Sequence, residues 1–92
     1  MSIRTATLNG VATIEIARPE KKNALTVAMY QAMAEALRAA EADQAVRVIL
    51  FAGLPTIFTA GNDLEDFLKQ PPQGENSSVF QFMAALKGAT KP

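Results

Sequence analysis

The hydrophobic pattern of this chain changes period along its length, and that change commits it to a mixed α/β fold. Ile3 to Leu8 and Val11 to Ala17 read as two strands around Asn9-Gly10. Asn-Gly is the strongest two-residue hairpin signal, because both central positions of the turn need positive φ. In the second strand Ala12, Ile14 and Ile16 alternate with Val11, Thr13 and Glu15, the mark of a half-buried strand. Arg18-Pro19 ends it, since proline cannot donate to the ladder. The period then lengthens to that of a helix. Val27 to Ala42 is rich in Ala, Met, Leu, Glu and Gln, with Thr26 placed to cap it. Met29, Met33, Leu37 and Ala40 share its inner side, and Glu35, Arg38 and Glu41 a more polar one. Val46 to Ala52 is an apolar run broken only by Arg47, which suits a parallel strand buried on both faces.

The remainder predicts loops and short helices. Gly53 to Gly61 reads as a loop with an extended stretch at Ile57-Phe58. Asp63 to Lys69 reads as a short helix capped by Asp63, and Gln70 to Ser77 as a proline-containing connection. Ser78 to Lys87 reads as a last helix, with Phe82 and Leu86 four residues apart. The expectation is one unit over residues 1–92: a hairpin over 3–17, a helix over 27–42, a strand over 46–52, a loop over 53–64, and helices over 63–69 and 78–87. Such a sheet has about three strands, and its Val46 strand lacks a further neighbour. An open apolar edge of that kind invites pairing with another chain.

Composition narrows the chemistry. Nine basic side chains balance nine acidic ones, so no net field recruits nucleic acid or an anionic membrane. The chain has no cysteine and no histidine. A thiol nucleophile, a disulfide framework and the commonest general base are therefore excluded from it, and no metal site is expected. The lack of cysteine is compatible with a reducing cytoplasm. Met1-Ser2-Ile3-Arg4-Thr5 does not open a signal peptide, and no apolar run approaches a membrane span. There is no Gly-x-Gly-x-x-Gly or Walker loop, which disfavours a nucleotide-binding βαβ unit.

Two segments carry more specific information. Pro19-Glu20-Lys21-Lys22-Asn23-Ala24-Leu25 follows the second strand, and Phe58-Thr59-Ala60-Gly61-Asn62-Asp63-Leu64 follows the Val46 strand. Ligands of α/β sheets gather beyond the carboxyl ends of strands. If these strands run parallel, the two loops lie side by side.

Together the segments resemble the enoyl-CoA hydratase/isomerase (crotonase) family. Its first signature is proline, three variable residues and Asn-Ala-Leu. Its second is Phe, a small residue, Ala-Gly, any residue, Asp and an aliphatic residue. The resemblance covers essentially the whole chain. It implies the N-terminal part of a crotonase-like ββα spiral fold and a coenzyme A thioester, an acyl-CoA or enoyl-CoA, as substrate, with no other cofactor. It implies that the backbone N–H of Ala60 is one oxyanion donor, joined by a second from a glycine-rich turn further along. It places Lys21, Lys22, Asn23, Ala24, Leu25, Gly61, Asn62, Asp63 and Leu64 among the substrate-binding residues, with Lys21 or Lys22 near a CoA phosphate. Catalytic glutamates are expected beyond residue 92, so that this stretch is inactive alone, and the protein is expected to be a homo-oligomer. Gly61-Asn62-Asp63-Leu64 is more similar to 3,2-trans-enoyl-CoA isomerases than to hydratases. Gly53-Leu54-Pro55-Thr56 departs from the family pattern, which carries glycines and a basic residue there.

Simpler roles stand beside these. Lys21-Lys22 fits a solvated pair, Asn23 a turn-closing side chain and Asp63 a helix cap. Ala60-Gly61 fits an ordinary tight turn, and Glu65 and Asp66 complement a helix dipole. Met29, Met33 and Phe82 fit core packing. A non-catalytic CoA-binding or interaction module is the alternative to an enzyme.

Overall fold

A computed structural model describes residues 2–71, 74 and 77–92. Strands β1 (Ile3–Leu8) and β2 (Val11–Ile16) pair antiparallel, from Leu8 opposite Val11 to Ile3 opposite Ile16. Asn9 and Gly10 turn the chain with φ of 52° and 81°, the mirror-image turn that their identities demand. Helix α1 (Val27–Ala42) then carries the chain to β3 (Val48–Ala52), which pairs parallel with β2. The sheet order is β1-β2-β3.

Register divides the sheet into two unlike faces. Ala12, Ile14 and Ile16 point towards α1, with Ile49 and Phe51 beside them on β3. They pack on Met29, Tyr30, Met33 and Leu37, so the alternation in β2 meets the helical stripe and closes the core. Tyr30 and Ala34 are also buried, which makes the inner stripe of α1 wider than the four positions read from sequence.

The strand expected over 46–52 needs correction. It begins at Val48. Val46 is buried, but it sits ahead of the strand in a small cluster with Ala12 and Ala40. The N–H groups of Arg47 and Val48 both donate to the Gly10 carbonyl, at 2.7 and 3.2 Å. Nor is β3 buried on both faces: Val48 and Leu50 are 40% and 50% exposed. An apolar run states what a strand tolerates on each side, whereas burial depends on what lies there.

Side chains cap each helix. Thr26 accepts from Met29 N–H at the start of α1, as expected. Asp63 caps α2 (Leu64–Lys69), and Ser77 caps α3 (Ser78–Gly88). Phe82 of α3 meets Tyr30 and Phe51 edge to face, with ring centres 5.7 and 5.8 Å away. Leu86, by contrast, faces outward. The final residues fold back: Lys91 Nζ donates to the carbonyls of Ala40 and Asp43 at the end of α1, and Ile49 N–H donates to Pro92.

Candidate functional site

The first loop leaves β2 through one 3-10 turn, Pro19–Lys21, in which proline supplies a preset φ. Lys22 and Asn23 follow in left-handed conformation, with φ of 51° and 60°. Asn23 is fully buried and closes the loop from inside. Its Oδ1 accepts Arg18 N–H at 2.6 Å, and its Nδ2 donates to the carbonyls of Ile16 at 2.9 Å and Phe58 at 3.0 Å. The turn-closing role foreseen for Asn23 is thus present, and it extends across to the second loop.

That second loop begins at a tight corner. Gly53 passes so close to Phe58 that an added Cβ would lie 2.5 Å from the Phe58 Cα, which no side chain tolerates. Leu54 and Ile57 bridge each other across Pro55-Thr56, so Pro55 occupies the turn position that suits its fixed φ. Phe58 to Leu64 then runs as a ribbon beside the first loop. Phe58, Ala60, Asn62 and Leu64 are exposed, and the residues between them are partly covered.

A ladder of bonds joins the loops. Thr59 Oγ1 donates to the Asn23 carbonyl at 2.6 Å, and Ala60 N–H to the Lys22 carbonyl at 3.2 Å. Leu25 N–H donates to the Gly61 carbonyl at 2.7 Å, and Asp63 N–H to the Leu25 carbonyl at 2.8 Å. These last two bonds form a parallel bridge between Leu25 and Asn62. In such a bridge the N–H of the central residue faces away from its partner strand. Asn62 N–H therefore points outward, and it has no acceptor among the described residues. Gly61, at φ 94°, makes the bend that allows this.

Four side chains fix the ribbon's far end. Tyr30, buried on α1, donates its hydroxyl to Asn62 Oδ1 at 2.7 Å, and its burial raises its pKa. Asp63 Oδ1 accepts Asp66 N–H at 3.0 Å, and Asp63 Oδ2 meets Arg18 Nη1 at 2.8 Å. The Asp66 N–H and then the Arg18 guanidinium hold the Asp63 carboxyl below the ordinary carboxylate range. Asp66 Oδ2 accepts Val27 N–H at 2.8 Å, tying α2 to the start of α1. Lys21 and Lys22 lie on the surface beside the ladder.

The site residues named from sequence thus fall into three groups. Ala24, Leu25, Ala60, Gly61 and Asn62 meet along the ladder, and Asn23 and Asp63 hold it from within. Lys21, Lys22 and Leu64 stand exposed at its margins. Arg18 and Tyr30 were not anticipated as site residues. Tyr30 had a signal, since it shares helical spacing with Met33 and Leu37. Arg18 had none, because its partner lies in a distant part of the sequence. Among the described residues, no three of His, Cys, Asp and Glu gather as metal ligands would, and no helix is long and apolar enough to cross a membrane.

Comparison with known proteins identifies the fold and the family. Human enoyl-CoA delta isomerase 2 is 38% identical over 66 residues, which is 72% of this chain and 16% of that protein. The 4-chlorobenzoyl coenzyme A dehalogenase-2 of an Arthrobacter species is 38% identical over 76 residues, covering 83% of this chain and 27% of the relative. The structure of Pseudomonas aeruginosa OdaA superposes with a TM-score of 0.94 at 52% identity, over 99% of this chain and 37% of that one. An enoyl-CoA hydratase/isomerase from Pseudoalteromonas atlantica gives 0.91 at 35% identity, over 100% and 37%. The chain therefore spans less than half the length of these relatives, and its sheet and helices are those of their crotonase fold. The sequence pattern of the family described as enoyl-CoA hydratase/isomerase matches residues 6–91, and the chain belongs to that family.

Proposed function

We propose that this chain forms the acyl-CoA-binding side of an enoyl-CoA hydratase or isomerase site. In this reading a CoA thioester lies along the ladder between the two loops, and a backbone N–H of the second loop stabilises the enolate-like oxygen. One observation carries the reading: Asn62 N–H projects from a ribbon fixed on both sides and has no acceptor among the described residues. A preorganised donor aimed at developing charge needs no reorganisation during reaction.

The position of that donor departs from the expectation drawn from sequence. Ala60 N–H already donates to Lys22, so service as an oxyanion donor would require that bond to break. Asn62 is therefore the stronger candidate, with Ala60 fixing the ribbon. Ala24, Leu25, Gly61 and Leu64 would line the thioester and pantetheine, and Lys21 or Lys22 would meet a phosphate of CoA, the only cofactor-like group the reading requires. The two aspartates nearest the ladder, Asp63 and Asp66, are engaged in structural bonds and are poorly placed as acid or base. We expect the 92 residues alone to bind without turnover, with the acid–base groups supplied from outside them.

Backbone substitution in the full-length protein tests the donor. Asn62→Pro deletes the N–H and should lower kcat by about 10²–10³, whereas Asn62→Ala keeps it and should lower kcat far less. Ala60→Gly keeps the bond to Lys22 and should leave kcat near its original value. Circular dichroism identifies the variants that fold. A folded Asn62→Pro protein with undiminished kcat would rule out the assignment.

A further inference from the structure

Arg18 belongs to neither loop motif, yet its side chain ties the two loops together. Arg18 Nη1 donates to the Ala24 carbonyl at 3.1 Å and to Asp63 Oδ2 at 2.8 Å. The first acceptor lies in the first loop and the second at the far end of the ribbon. Both charged side chains are sheltered, at 17% and 15% exposure. Charge-assisted bonds, such as that between Arg18 and Asp63, are shorter and stronger than neutral ones. The backbone of Arg18 is fixed as well, because its N–H donates to Asn23 Oδ1. Asp63 is restrained from its other side by the Asp66 N–H on Oδ1 and by its own N–H on the Leu25 carbonyl. Between these two anchors lies the Leu25–Asn62 bridge.

We infer that Arg18 is a positioning residue, which holds Ala24 and Asp63 at a set separation and thereby aims Asn62 N–H at the thioester oxygen. The inference rests on the oxyanion reading of Asn62. A sheltered ion pair often adds no more stability than apolar packing of the same volume, so what this pair supplies is geometry. Misplacing a catalytic group by about 1 Å is enough to lose on the order of a hundredfold in rate.

The vibrational frequency of a bound thioester reports that aim directly. We would record the C=O stretch of but-2-enoyl-CoA labelled at the carbonyl, bound to the full-length protein, for the original sequence, Arg18→Met and Asp63→Asn. In the original protein the stretch should fall below that of free ligand. Both variants should lose most of that displacement when recorded at saturating ligand. Asp63→Asn keeps a side-chain acceptor for the α2 cap, so it decides the matter if Arg18→Met does not fold. A folded variant of either kind that retains the full displacement overturns the role of Arg18. If the original protein displaces the stretch not at all, the oxyanion reading fails first and the inference falls with it.

Discussion

The Asn23 side chain makes three hydrogen bonds from a position with 0% exposure, and each partner is a backbone group. Asn23→Ala strands two carbonyls and one N–H, and each such group costs about 1–3 kcal/mol, so a loss of about 3 kcal/mol or more should appear in urea denaturation. Asn23→Asp should be worse, because a carboxylate would face the Ile16 and Phe58 carbonyls that now accept from Nδ2. An Asn23→Ala protein as stable as the original would show that water replaces these bonds. Asp63 gives a prediction in pH. Its folded pKa is lowered, so its contribution is complete above the ordinary value and is lost as pH falls through the lowered one. Urea titrations between about pH 5 and about pH 2 should therefore show an acid-induced loss that is smaller in Asp63→Asn. Equal losses in the two proteins would assign the acid sensitivity elsewhere, for instance to Glu41, whose pKa Thr90 lowers.

At the scale of elements, sequence was informative wherever the signal is local. Asn9-Gly10 dictates its turn through φ, the inner stripe of α1 follows from helical spacing, and Thr26 and Asp63 cap the helices they precede. Thr26→Ala removes the bond to Met29 N–H and should lower stability by about 1 kcal/mol. Thr26→Ser, which keeps the oxygen, should restore it in the same thermal melt, and failure of that rescue would deny the cap its role. Sequence was silent where the answer lies between distant residues. Nothing near Arg18 announces Asp63, and nothing near Ala60 announces that the Lys22 carbonyl takes its N–H. The Asn-Ala-Leu and Ala-Gly motifs lie in two loops that the fold brings side by side, but a motif does not say which of its N–H groups is already bonded. The same gap explains β3, whose composition permits burial on both faces while its surroundings provide it on one.

For the molecule as a whole, the open face of the sheet has the largest consequence. Cross-strand partners share a face, so Leu8, Val11 and Val48 form one row and Ala6, Thr13 and Leu50 the next. Leu8 is 73% exposed, and Val48 and Leu50 are exposed beside it. The row beyond is polar at β1 and β2, where Arg4 and Glu15 form an ion pair at 2.9 Å. The apolar rows lie beside this pair, and burying apolar surface stabilises by about 25 cal/mol per Å². We expect the isolated 92 residues to associate with a second copy through this face. Sedimentation velocity should show a concentration-dependent shift to larger species. Leu50→Lys should abolish that shift without lowering the thermal midpoint, because Leu50 lies opposite the face packed on α1. Phe51→Lys, on the helix side, should instead unfold the chain. A monomer at every concentration, or self-association that survives Leu50→Lys, would mean that this face does not pair copies of the chain.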